Sequence, residues 1–220
     1  IHTTDSHTNG SNAIAAGGIL GYAANHGNVV TLSRIYVGNG CYIRGSKGGG
    51  GIFGIVNSSV NVTYNDWIGV GAKYSSDRWV EDSLYNNITG RIAGGIVGSE
   101  DSGTARNVSA KLCVAKNRIY SYDKMGNGAG RCGSGGLTGY RNGGSAQVIL
   151  DDVTIMHNVI ITSGRGITAA ASYGSGNSNH MPAAGGMYGR IETNGGTSTE
   201  CANITLLDNS IGFYDVSGMD

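Results

Sequence analysis

The sequence predicts an all-β chain, a parallel β-helix of about five coils with insertion loops, and three observations carry that prediction. Forty glycines stand against a single proline in 220 residues, in a chain that is still 39% hydrophobic. A short glycine motif recurs five times, and an aliphatic motif with an embedded break follows each copy. Glycine in a helix interior costs about 1 kcal/mol relative to alanine, which argues against a helical solenoid. The absence of a Gly-X-Y period and of proline excludes collagen. Zero net charge with 14% charged residues leaves apolar surface to bury and little self-repulsion, which argues against disorder. A β-sandwich is the competing architecture.

The first motif reads small-Gly-Gly-aliphatic-x-Gly, at 16–21, 49–54, 93–98, 134–139 and 184–189. The residue after Gly-Gly is always apolar (Ile19, Ile52, Ile96, Leu137, Met187), whereas the next varies (Leu20, Phe53, Val97, Thr138, Tyr188). A strict position beside a lax one reads as a strand with one buried face, so the aliphatic residue is expected to point inwards.

The second motif pairs apolar residues two apart, breaks at Asn65, Asn117, Asn158 or Asn209, and resumes at Trp67, Ile119, Ile160 or Ile211. It reads as strand, bend, strand, with Asn at the bend because it tolerates the left-handed conformation. In the first copy Ile35 and Val37 fit if Gly40 takes the Asn slot. From the second Gly to this slot is 22 residues in copies one, three and four, 23 in copy five, and 14 in copy two. A constant module followed by loops of variable length is the mark of a solenoid. Aligned Ile, Leu and Val rows then fill the interior, and Asn65, Asn117, Asn158 and Asn209 form a hydrogen-bonded ladder. Residues 1–16 read as an N-terminal arm, without the basic and apolar regions of a signal peptide, and 17–220 as a single repeat domain.

The five glycine strings, above all GGILGYAANHGNVVTLSRIYVGN at 17–39, resemble the GLUG repeat of extracellular proteins, found in bacterial surface proteins and in the stalks of IgA-cleaving metallopeptidases. The Gly-Gly-aliphatic pattern with spaced Asn is also similar to passenger repeats of polymorphic outer-membrane autotransporters. Both resemblances imply a displayed, non-catalytic β-solenoid, and neither supplies a catalytic residue.

The residues themselves offer little chemistry. No apolar stretch approaches the roughly 18 residues that span a bilayer, and no basic excess points to nucleic acid. No H-E-x-x-H or phosphate-binding glycine loop occurs, and no metal or other cofactor is expected. Asp151-Asp152 is an adjacent acidic pair of the kind a polysaccharide-active β-helix would need, but its place before the strand at Val153 fits a turn.

Of the four cysteines, Cys113 and Cys132 are the preferred disulfide partners, while Cys41 and Cys201 lie in the first and last copies, placed to join subunits rather than to pair within one chain. Six glycosylation sequons, at Asn9, Asn57, Asn61, Asn87, Asn107 and Asn203, tilt the reading towards a secreted or surface protein. The longest insertions, 69–92 and 161–183, and the shorter loop between them place Tyr74, Trp79, Tyr85, Tyr120, Tyr122 and Tyr173 on one side, where aromatic rings meet a sugar or a partner.

The leading functional expectation is a non-catalytic extracellular structural subunit that stacks head to tail into a filament. A surface adhesin or glycan-binding segment is the second, and a polysaccharide-active enzyme the third.

Overall fold

The computed structural model describes residues 15–23, 29–57, 60–100, 106–108, 110–122, 132–143, 148–164, 183–193 and 199–215. They form a parallel β-solenoid of five coils, with no helix among the described residues. The first coil holds β1 (Ala15–Gly17), β2 (Leu20–Ala23), β3 (Val29–Val37) and β4 (Tyr42–Arg44). The second holds β5 (Gly48–Gly50), β6 (Phe53–Val56), β7 (Asn61–Val70), an inserted hairpin of β8 (Ala72–Ser75) and β9 (Arg78–Glu81), and β10 (Asn86–Gly90). The third comprises β11 (Ile92–Gly94), β12 (Val97–Glu100), β13 (Arg106–Val108), β14 (Lys111–Ala115) and β15 (Asn117–Tyr122). The fourth has β16 (Gly133–Gly135), β17 (Thr138–Gly143), β18 (Val148–Met156) and β19 (Val159–Gly164). The fifth has β20 (Ala183–Gly185), β21 (Tyr188–Thr193), β22 (Thr199–Leu207) and β23 (Ser210–Asp215). Residues 15 and 16, expected in the arm, belong to β1, and the rest of the arm lies outside the described residues.

Equivalent strands stack in coil order into four parallel sheets. The first sheet is β1-β5-β11-β16-β20, the second β2-β6-β12-β17-β21, and the fourth β4-β10-β15-β19-β23. In the third sheet the third coil contributes both β13 and β14 between β7 and β18. Register lines up the interior: Ile35, Ile68, Leu112, Val153 and Ile204 form one row, and Val37, Val70, Val114, Ile155 and Leu206 the next. Ile43, Ile88, Ile119, Ile160 and Ile211 make a third row in the fourth sheet. In the middle coils these side chains are fully buried, each such burial contributing roughly 1.5–3 kcal/mol.

The glycines lie between two sheets as well as at a corner. The first sheet is a middle layer, with the fourth sheet against one side and the second against the other. A Cβ on Gly49 would lie 2.2 Å from the Thr89 carbonyl oxygen of the fourth sheet, and one on Gly50 would lie 1.8 Å from the Phe53 carbonyl oxygen of the second. The second glycine of each pair faces the adjacent coil: Cβ atoms on Gly51, Gly95 and Gly136 would each sit 2.0 Å from the carbonyl oxygen of the equivalent glycine one coil on. The motif therefore spans strand, corner and strand. At the corner two successive N–H groups, those of Ile52 and Phe53, donate to the one carbonyl of Ile96, and Ile96 and Val97 do the same to Leu137. Ile52, Ile96 and Leu137 are buried as expected, but so are Phe53, Val97 and Thr138 at the lax position, because a corner does not alternate as a single strand would.

An asparagine ladder is present with one member changed. It consists of Asn86, Asn117, Asn158 and Asn209: the side-chain amide of Asn86 donates to Asn117 Oδ1 at 2.9 Å, Asn117 to Asn158 at 3.1 Å, and Asn158 to Asn209 at 3.0 Å. Each of the last three also donates to a carbonyl of the preceding coil, from Val70, Val114 and Ile155 in turn. Asn65 instead lies within β7, paired with Ser33. The second copy is irregular because residues 71–85, carrying the hairpin, stand between its Val70 and its ladder position. In the first coil the slot belongs to Cys41 rather than Gly40, and the backbone N–H groups of both donate to Asn86 Oδ1. The left-handed conformation falls on the residue before the ladder: Gly40, Lys116, His157 and Asp208 all have positive φ. The Asn side chain is selected by its buried amide bonds, not by its backbone.

The two end coils differ from the middle. In the fifth, Leu206 is 53% exposed and Ile211 48%; in the first, Ile19 is 44% exposed.

Candidate functional site

The expected aromatic residues separate into two groups on two walls. Tyr74 and Trp79 belong to the hairpin, whose turn residues Ser76 and Asp77 both have positive φ, the signature of a tight two-residue connection. It lies on the outer side of the third sheet. Trp79 packs on a buried cluster of Ala72, Cys113 and Ala115 with Met156 beside it, and meets Tyr74 and Trp67 edge-on at centroid distances of 5.1 and 6.4 Å.

Polar contacts fasten this insertion to three other coils. Lys111 donates to Tyr74 Oη at 2.8 Å and lies over its ring, a bond that holds the ammonium pKa above its usual value. His157 Nδ1 is 2.5 Å from Glu81 Oε1, and its Nε2 is 3.7 Å from Asp208. Asp82 accepts from Tyr36 Oη and from the Asn39 N–H, and its own N–H donates to the Gly71 carbonyl, closing the base of the loop. Burial first, then the bond to Asp82, pushes the Tyr36 phenol up to about 12. Tyr74 and Trp79 are thus engaged by the protein's own wall.

The second group lies on the outer face of the fourth sheet. Tyr120 and Tyr122 lie in β15 rather than in a loop, alternating with the buried Ile119 and Ser121, and stack at 6.2 Å with planes 25° apart. Tyr85, just before β10, has the Lys116 ammonium and the Arg118 guanidinium 5.2 and 5.1 Å from its ring centroid. Register adds residues that the sequence pattern did not single out: Tyr42, Asn87 and Arg118 share one row, and Arg44, Thr89 and Tyr120 the next. Hydrogen bonds to Tyr122 and Tyr42 raise the Arg44 pKa above its ordinary value. Tyr173 lies outside the described residues.

The remaining candidates fall into structural positions. Cys41, Cys113, Cys132 and Cys201 are all free thiols. Cys113 points away from the solenoid interior as expected but is roofed by the hairpin, and burial pushes its pKa up. Cys132 lies 3.6 Å from Ser121 Oγ in a buried cluster with Thr162 and Ser134, so the expected Cys113–Cys132 disulfide is not made. Cys41 and Cys201 sit in the first and fifth coils, Cys201 exposed.

Asp152 has positive φ and lies 3.9 Å from Lys111, while Asp151 accepts from Asn203, which fits a bend in β18. Among the sequons, Asn61 and Asn203 are exposed, Asn57 donates to Tyr22 Oη, and Asn87 is half-buried on the tyrosine face. Asn107 lies in β13, and Asn9 outside the described residues. Among the described residues no three His, Cys, Asp or Glu form a metal-sized group, and no helix is long and apolar enough to cross a membrane. Comparison of the chain with protein-family models, with curated proteins and with solved structures gives no match.

Proposed function

We propose that this chain is a non-catalytic extracellular structural subunit whose solenoid extends by stacking head to tail on further copies of itself. The observation that carries this reading is the fate of the interior rows. Val70, Val114 and Ile155 are completely buried, yet the next member of their row, Leu206, is half exposed, and Ile211 ends the isoleucine row in the same way. A parallel solenoid presents opposite, complementary strand edges at its two ends, so the fifth coil of one copy fits the first coil of the next. Such a contact does not close on itself and generates a filament. Its extracellular setting is supported by the likeness to GLUG and autotransporter repeats and by sequons at the exposed Asn61 and Asn203.

Electron microscopy of native protein across a concentration series tests the proposal. Fibres with an axial repeat of five coils, about 24 Å at ~4.8 Å per coil, are the expected result. Placing lysine at Leu206 and Ile211, both exposed in the single copy, should abolish them while leaving the melting temperature unchanged. Monomers at every concentration, or fibres that survive the double substitution, would overturn it.

A further inference from the structure

The outer face of the fourth sheet carries a second inference, independent of stacking. Over the first three coils its side chains are mainly cationic and aromatic: Tyr42 and Arg44 in the first coil, Tyr85 beside Asn87 in the second, Lys116, Arg118, Tyr120 and Tyr122 in the third; the fourth coil continues it with Val159, Ile161 and Ser163. Of the sheet's five strands, β4, β10, β15 and β19 contain no Asp or Glu, and β23 has one, Asp215, at its end. Lys116 and Arg118 make no ion pair among the described residues; both rest over Tyr85. On a chain whose net charge is zero, this is a local concentration of positive charge.

We propose that this face binds an acidic polysaccharide, a chain of sugar rings bearing carboxylates. Guanidinium and ammonium groups meet the carboxylates, the tyrosine rings take the C–H faces of the sugars, and Asn87 supplies hydrogen bonds to hydroxyls. Single-stranded nucleic acid is the alternative polyanion, and charge argues against it: the face carries three cations, Arg44, Lys116 and Arg118, on a chain with no net positive charge, where a nucleic-acid site carries a basic excess.

The test is affinity electrophoresis of the full chain in gels containing polygalacturonate, neutral dextran or oligo-dT, with intact mass confirming that Asn87 carries no glycan. Retention by polygalacturonate at least about tenfold stronger than by dextran is expected, weakening as salt rises. The double substitution Arg44→Gln, Arg118→Gln should weaken it about tenfold with an unchanged melting curve. Equal retention in dextran, tighter binding of oligo-dT, or retention unaffected by the double substitution would each overturn the proposal. A folded single variant, Arg118→Gln, gives the same reading if the double variant melts early.

Discussion

Asn117 shows how much one side chain carries in this fold. Its amide donates to the carbonyls of Val70 and Ala115 and accepts from Asn86, all in a fully buried site. Asn117→Ala leaves those groups without partners, each worth about 1–3 kcal/mol, so a loss of about 3 kcal/mol is expected in urea unfolding. Asn65→Ala, outside the ladder, should cost about 1 kcal/mol or less. Cys113 is the second residue with a measurable environment. Its thiol is buried under Trp79, which pushes its pKa up; partial burial also raises the Cys201 pKa, but that thiol is exposed. A thiol-reactive dye should therefore label Cys201 readily and Cys113 hardly at all, and Trp79→Ala should speed labelling of Cys113 by lifting its cover.

At the scale of the element, the glycine layer is the feature most sensitive to substitution. Gly95→Ala would place a methyl group 2.0 Å from the Gly136 carbonyl oxygen and 2.4 Å from Val114 Cγ1, and a loss of about 3–5 kcal/mol is expected. Gly212, in β23, has nothing within 4 Å of the position a methyl group would take, and its alanine variant should be neutral or stabilised by up to about 1 kcal/mol. Thermal melting of the two variants separates these outcomes.

The strands and coil count were legible in the sequence because a stacked fold repeats its constraints in every copy. The layer order was not: a glycine needed for a turn and a glycine needed between two sheets are the same letter. The ladder position in the second coil was also hidden, because Asn65 sits in a strand that looks like the motif while Asn86 follows an insertion. That displacement also concealed the row of Tyr42, Asn87 and Arg118, since a face shared by three coils can be read only once their register is known.

For the whole molecule, apart from the hairpin that reaches from the second coil to the fourth, contacts along the axis run from each coil to the next. Stability is then a sum of coil and interface contributions, and the end coils, each with one neighbour, are its weakest parts. A seam between stacked copies would bring Cys41 rather than an asparagine to the ladder, so filaments should break there before a subunit unfolds.

The glycine layer has one further consequence, for how such a sequence can change over generations. A core leucine that grows larger can be accommodated by a neighbour that shrinks. A side chain added at Gly51 or Gly136 meets main-chain oxygen of the adjacent coil, an atom every amino acid possesses. No second substitution on that coil removes the clash, so these columns lack the compensating partners that the core rows have.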